Sequence, residues 1–498
     1  MMGLIDQKVV PKREDRLNAS NAYGGKISDL IKESGSGCLI NKNRSFCQTF
    51  NCQLGLALSM VTTIPDAVLI MHGPIGCGNQ QNDNHFRIGQ IARGIKPKPL
   101  LWVSTNLDEN DIINGGEKKL EEAILEVDSF YRPAAIIVLT TCAPGIIGDD
   151  VDELVARVQK NVAARVMLTH CEGFKTKISA TGYDAVYHGI ARSFDLEDEE
   201  ETNVVADELD LLREQYEKSR TVNIYNTFSI GRTDELELQR LLNSLDLRVN
   251  FYPNFVHPEA FKELAKAALN VSLCPTHDDY FLKHLQERFG IPYIIRNMPI
   301  GIKNTNEWLL DIAREFHLEA QAQRIIESET AALQKGLLPF AGRLKGKKVF
   351  VSGGEIRVAV TGMLLKELGC ELVGIRGHHY DHFGDDIFSQ LIADNPDLNV
   401  NIATTQIFEL VNLLNKSKPD LLLGHSGSNV WAAKLGIPSI PIFAQAQYYF
   451  GYRGVFEVAR RAVRALGNTA FQSSLKENVN LPFKKEWYTK NPFSYIVE

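Results

Sequence analysis

A chain of 498 residues is too long for one hydrophobic core, so two to four domains are expected. Its 44% hydrophobic and 23% charged content describes an ordinary globular protein. A formal net charge of −7, with no long basic run or arm, excludes nucleic-acid binding as the main role. No run of about 18 apolar residues occurs, and the first residues lack the basic and apolar regions of a signal peptide. A cytoplasmic protein with no membrane contact is therefore expected.

Residues 1–60 are polar and rich in Gly, Ser and Asn, and read as an extended arm with one short helix. Short Val/Ile/Leu runs then alternate with longer amphipathic stretches, the pattern of βαβ units around parallel sheets. The first group of runs is 67–71, 100–104, 134–139 and 165–168, with helices at 116–127 and 151–161. An acidic run, Asp195 to Glu201, marks a solvated boundary. The second group is 221–225, 247–251, 270–273 and 293–295, with helices at 236–245 and 279–289. A long helical stretch at 306–334 leads into a third group, 349–351, 371–375, 400–403, 420–423 and 439–442. A helix at 453–466 and an irregular tail follow. The expected architecture is α/β, with three Rossmann-like doubly wound parallel-sheet domains. Their bounds are 1–215, 216–335 and 336–469, and the tail 470–498 is expected to join the first.

The eight cysteines, Cys38, Cys47, Cys52, Cys77, Cys142, Cys171, Cys274 and Cys370, are too sparse for a disulfide framework. No C-x-x-C pair is present, which disfavours a zinc ribbon or a simple ferredoxin-type site. In H-G-P-I-G-C-G, from His72 to Gly78, three glycines and a proline leave little bulk around one thiol. Such a thiol serves as a metal ligand or nucleophile, or sits inert in a tight turn. In doubly wound folds ligands lie beyond the C-terminal strand ends. Cys77, Cys142, Cys274 and His425 all come after predicted strands. There is no G-x-x-x-x-G-K-[ST], and neither Gly353-Gly354 nor the glycines around His425 complete G-x-G-x-x-G, so any ATP hydrolysis belongs to a partner.

Four segments carry a resemblance. They are Cys52 with His72–Gly78, T-C-A-P-G-I-I-G-D-D from Thr141, L-C-P-T-H-D-D-Y-F-L-K-H from Leu273, and K-L-G-I-P-S-I-P-I-F-A-Q-A-Q-Y-Y-F-G from Lys434. From about residue 45 onward the chain resembles α subunits of the nitrogenase component 1 superfamily. The resemblance implies that Cys52, Cys77 and Cys142 hold an interface iron–sulfur cluster, of 8Fe-7S type or simpler; Cys47 is the nearest rival to Cys52. It also implies that Cys274 anchors an active-site iron–sulfur cofactor, with His72, Gly76, Gly353, Gly354 and Gln445 as further cofactor-binding positions. The implied partners are a homologous β subunit in an α2β2 assembly and an ATP-hydrolysing 4Fe-4S reductase homodimer.

Several positions depart from the family pattern. The segment from Pro441 to Tyr449 contains no histidine to hold the far end of the cofactor. Tyr183 stands near the family's catalytic histidine, Thr276 replaces an arginine, and Ser428 falls near a lysine. These departures point away from a molybdenum–homocitrate cofactor. The expected function is a nitrogenase-like reductase, nearest to the methylthio-alkane reductases, which cleave C–S bonds of small thioethers to methanethiol and a hydrocarbon. Tyr183, His277 and His425 are the expected proton donors. Beside this stand a cofactor-assembly scaffold subunit, an alternative-metal nitrogenase α subunit, and a metal-free α/β enzyme such as a sugar-nucleotide transferase.

Overall fold

The computed structural model describes residues 19–48, 52–80, 84–197, 208–227, 230–393 and 395–497. Three sheets, all parallel apart from one edge strand, organise the chain. The first runs Trp102–Ser104, Ala67–His72, Ala135–Thr140, Arg165–His170 across its width. The second runs Tyr293–Ile295, Leu269–Ser272, Thr221–Tyr225, Arg248–Phe251. The third places Lys348–Gly353 between Glu371–Gly377 and Leu421–Gly424, with Asn399–Ala403 and Ser439–Pro441 outside them. Central strands such as Ala135–Thr140 are buried at every position, which accounts for unbroken apolar runs in place of alternation.

In each sheet the chain lays a strand, builds to one side, then returns to build on the other. This leaves a crevice where the direction reverses. The reversals fall between Ala67–His72 and Ala135–Thr140, between Thr221–Tyr225 and Leu269–Ser272, and between Lys348–Gly353 and Leu421–Gly424. The loops leaving these strand pairs begin with Gly73 and Thr141, Asn226 and Leu273, and Gly354 and His425.

The hydrophobic cores are shared between sheets. One joins Leu69, Ile137 and Leu139 to Tyr225, Tyr293 and Ile295. Another joins Val222, Ile224 and Val271 to Val349, Val351 and Ile375. Polar ties cross the same seams. Asn226 N–H donates to Tyr187 Oη at 2.8 Å, and the N–H groups of Tyr449 and Phe450 donate to Asp234 Oδ1 at 2.6 and 3.0 Å. Helix Gln53–Val61 lies directly against helix Thr181–Ser193. A Cβ on Gly182 would stand 2.2 Å from Gln53 O and 2.7 Å from Ala57 N, both main-chain atoms.

Three expectations change. Arm residues Ala22–Lys26, grouped with the first domain from sequence, add an antiparallel edge strand to the third sheet along Asn399–Ala403. The tail is not irregular, since it contains helix Thr469–Asn478. It packs on a helix of the third unit, and its end also reaches Asn43–Arg44, inside the bounds expected of the first domain. The side chains of Asn412 and Asn415, on helix Ile407–Ser417, donate to the carbonyls of Trp487 and Tyr488, and Ile496–Val497 pairs with Asn43–Arg44. The aromatic residues Phe483, Trp487 and Tyr488 drive that docking, with Trp487 edge-on to Phe408 at 5.2 Å. The stretch 306–334 is two helices, Ile302–Glu315 and Glu319–Leu344, divided where His317 takes a φ of 56°. The acidic run leaves the described residues at 198. Among the described residues no helix is long and apolar enough to cross a membrane.

Gly182→Ala forces a methyl group into main chain that has no rotamer to yield. The expected loss is about 2 kcal/mol or more, read as a drop of several degrees in thermal unfolding. An unchanged midpoint would show that the two helices are not in this close contact.

Candidate functional site

Two sites are assembled at the strand ends. In the first, Cys52 caps helix Gln53–Val61, Cys77 sits in the turn Ile75–Gln80, and Cys142 opens helix Cys142–Ile147. All three thiols are half-buried, whereas Cys38 and Cys47 are exposed and Cys171 and Cys370 are buried. The three converge. A Cβ on Gly173 would lie 2.7 Å from Cys52 Cβ, 3.5 Å from Cys52 Sγ and 3.6 Å from Cys142 Sγ. Burial raises the Cys77 thiol, Thr141 offsets this by hydrogen bonding, and Cys142 and Cys52 raise it further by proximity.

Beneath the thiols, Gln53 Nε2 donates to Glu172 O at 2.7 Å. Burial alone would raise the Glu172 carboxyl, but His170, a backbone N–H and Lys175 together bring it down to about 2.

His72, expected at a cofactor, is instead spent on the loop. It is buried, its Nδ1 lies 3.2 Å from Thr105 Oγ1, and its Nε2 lies 3.2 Å from Asp149 Oδ2. Burial lowers its pKa even against the Asp149 carboxylate. With both nitrogens engaged, it positions the turn and does not ligate. Gly73 is required beside it, because a Cβ there would stand 1.9 Å from Thr141 Oγ1. Gly76 sits in the thiol turn with open space where its Cβ would be.

The second site is a cavity of about 670 Å³ bounded by the second and third sheets and by helices Gln53–Val61 and Thr181–Ser193. It brings together Tyr183, Cys274, His277, Gly354 and His425, which the sequence singled out. Gly353 lies behind it, where a Cβ would come within 3.4 Å of the His425 ring. Gln445 does not line the cavity. It packs at the seam with Gly231, whose Cβ would meet Gln445 O at 2.6 Å, and Phe443 from the same segment takes the wall.

Cys274 is held rigidly. Its N–H donates to Ser272 Oγ at 3.1 Å, and its carbonyl accepts from Asn226 Nδ2 at 2.8 Å. Burial pushes its thiol up to about 12, so it must lose a proton to become a ligand. A short polar chain runs from Cys274 Sγ to Thr276 Oγ1 at 3.2 Å and on to His277 Nε2 at 3.0 Å. The Tyr183 ring meets His277 edge-on with centroids 5.0 Å apart, and its hydroxyl is raised by burial to about 12.

Sequence reasoning missed His378, His379, Glu355, Arg357 and Arg376, all of which line the cavity. His378 and His425 face each other with ring centroids 5.4 Å apart. Burial and the Arg357 charge lower His425 to about 4, while burial, His425 and Arg376 hold His378 well below its ordinary value. Both imidazoles are neutral at physiological pH, with lone pairs available to a metal. Arg376 is buried, gives Nε to Asn401 Oδ1 at 3.1 Å, and has no partner for Nη2 among the described residues. An orphaned guanidinium N–H on the cavity wall calls for an anion. A thiol, two neutral imidazoles and a buried cation thus fit an anionic iron–sulfur cofactor.

The family described as nitrogenase component 1 type oxidoreductase matches residues 52–467. The chain is 28% identical over 470 residues to the nitrogenase iron-molybdenum cofactor biosynthesis protein NifE of Nostoc sp., covering 89% of this chain and 91% of that one. It is 27% identical over 447 residues to the nitrogenase molybdenum-iron protein alpha chain of Methanothermobacter marburgensis, covering 86% and 90%. The solved structure of nitrogenase Cp1 at pH 5 aligns with a TM-score of 0.70 at 23% identity, over 89% of this chain and 92% of that chain, a likeness of fold. This chain belongs to the nitrogenase component 1 type oxidoreductases.

Proposed function

We propose that this chain is the α-type catalytic subunit of a nitrogenase-like reductase. In this reading Cys52, Cys77 and Cys142 hold an interface iron–sulfur cluster, and Cys274 anchors an active-site iron–sulfur cofactor without molybdenum. The substrate is a small methylthio-alkane, reduced to methanethiol and a hydrocarbon. The observation that carries the reading is the buried Cys274 thiol opening on a cavity whose wall includes Gly55, Leu56 and Ser59. Those residues belong to the helix that Cys52 caps, so one rigid element touches both sites.

When bound, the cofactor supplies low-potential electrons for a two-electron cleavage. For 2-(methylthio)ethanol, two electrons and two protons give methanethiol, ethylene and water. The chain's own residues bind, orient and deliver protons. Met298, Ile407, Leu410 and Phe443 give the cavity an apolar side suited to a thioether, and Arg376 and Arg357 offset negative charge. His277, joined to Cys274 through Thr276, is the best placed proton carrier. Tyr183 and His425 line the same space but are poor acids and bases near neutral pH, because burial lifts the Tyr183 hydroxyl to about 12 and burial with the Arg357 charge holds His425 near 4.

The partner expected at the first site is a homologous β subunit. The half-buried thiols lie among large apolar side chains left in solvent, with Ile75 at 55%, Ile146 at 70% and Phe174 at 53% exposure. An exposed apolar rim around a metal site supports burial by another chain. The electron donor is an ATP-hydrolysing 4Fe-4S reductase, in keeping with the missing phosphate-cradling loop.

A second reading is an assembly scaffold that holds a maturing cofactor and passes it on. The likeness to NifE across 89% of the chain favours it.

Anaerobic co-purification with the β subunit, followed by turnover with reductase, ATP and 2-(methylthio)ethanol, separates the two readings. Ethylene and methanethiol in equal amounts are expected. Full iron occupancy with neither product, together with transfer of cofactor to an apo acceptor, would favour the scaffold. Cys274→Ala is expected to abolish turnover and remove the active-site iron while leaving the interface iron in place. A fully active Cys274→Ala enzyme would overturn the anchor. Ile146→Asp with Phe174→Asp should weaken association with the β subunit by about tenfold or more, measured by sedimentation of the two chains.

A further inference from the structure

We propose that Glu355, His379 and Asp381 bind one divalent first-row cation at the cavity wall, separately from the thiolate sites. Among the described residues this is the only trio of His, Cys, Asp or Glu side chains whose ligand atoms all fall within 4.8 Å of one another. The topology brings them together. Glu355 is the first residue of helix Glu355–Glu367, after strand Lys348–Gly353, and His379 and Asp381 come just after the neighbouring parallel strand Glu371–Gly377.

The spacing is that of ligands around a shared ion. His379 Nε2 stands 3.5 Å from Glu355 Oε2. Two donors at about 2.1 Å from one tetrahedral ion lie about 3.4 Å apart. Both carboxylates are oriented by main chain: Asp381 N–H donates to Glu355 Oε1 at 3.1 Å, and Phe383 N–H donates to Asp381 Oδ1 at 2.9 Å. Backbone closes over the site at Gly384, where a Cβ would fall on Glu355 Oε1. Anchoring of this kind fixes ligand direction before a metal arrives.

The charge balance points the same way. Glu355 and His379 are buried, at 2% and 6% exposure, and Asp381 is half-buried, which leaves an approach from solvent. Two carboxylates and one imidazole are gathered where little water reaches, and a shared divalent cation would screen the carboxylates from each other. An oxygen, oxygen, nitrogen donor set suits Mn²⁺, Fe²⁺ or Zn²⁺ better than a thiol-seeking ion.

The test uses the full chain with its β subunit and Mn²⁺ alone, monitored by loss of the free-ion signal in electron paramagnetic resonance. One Mn²⁺ per chain is expected, beyond any iron. Glu355→Gln and Asp381→Asn should each weaken uptake by about tenfold or more. Asp381→Asn, at a half-buried position, keeps the test decisive if the Glu355 variant does not fold. Cys274→Ala should bind Mn²⁺ as the native chain does, which separates this site from the cofactor anchor and from the reductase reading. Substoichiometric uptake by the native protein, or undiminished uptake in Asp381→Asn, would overturn the proposal.

Discussion

The contact between helix Gln53–Val61 and helix Thr181–Ser193, made at Gly182 with no side chain between the backbones, sets the geometry of both sites. The first helix carries Cys52 at its cap and Gly55, Leu56 and Ser59 on the cavity wall. The second carries Tyr183 into the cavity and Tyr187 into the seam with the second sheet. At 1.5 Å of rise per residue, the cap and the first wall residue are separated by about 5 Å along the axis. A thiol of one centre and a wall of the other therefore cannot shift independently.

Burial governs the chemistry on the cavity side. It lifts the Cys274 thiol to about 12 and the Tyr183 hydroxyl to about 12, and it holds His425 near 4. Left to themselves these groups are uncharged, while the buried guanidinium of Arg376, near the Glu409 carboxylate, keeps Nη2 without a partner among the described residues. An anionic cluster held by Cys274 would change this balance: the thiol would ionise and give up its proton, and Arg376 Nη2 would gain an acceptor. Binding of the group and the protonation state of its surroundings are thus one equilibrium.

Much of this was legible in the sequence. Unbroken apolar runs located the strands, since strands buried on both faces have no alternation to hide. Cys77, Cys142, Cys274 and His425 stand just past the ends of those runs, where a doubly wound sheet gathers its ligands. The failures have equally physical causes. The predicted run 371–375 stops short of Arg376, which is charged yet buried and bonded to Asn401, and the strand continues to Gly377. Truncating that strand hid His378 and His379 just beyond it. His72 and Gln445 drew attention by their place in motifs, but motif position does not reveal that Thr105 and Asp149 occupy both nitrogens of one, or that Gly231 draws the other to a seam. The tail's destination depended on aromatic contacts with helix Ile407–Ser417, which no local pattern encodes.

The edge strand Ala22–Lys26 pairs Ala22 with Ala403, a separation of 403 − 22 = 381 positions. A ribosome must therefore deliver most of the polypeptide before the opening segment finds its place. Until then the margin along Asn399–Ala403 presents unsatisfied amides and carbonyls to any other strand in reach. Closing that margin with Ala22–Lys26 ties the third sheet to one of the earliest described segments.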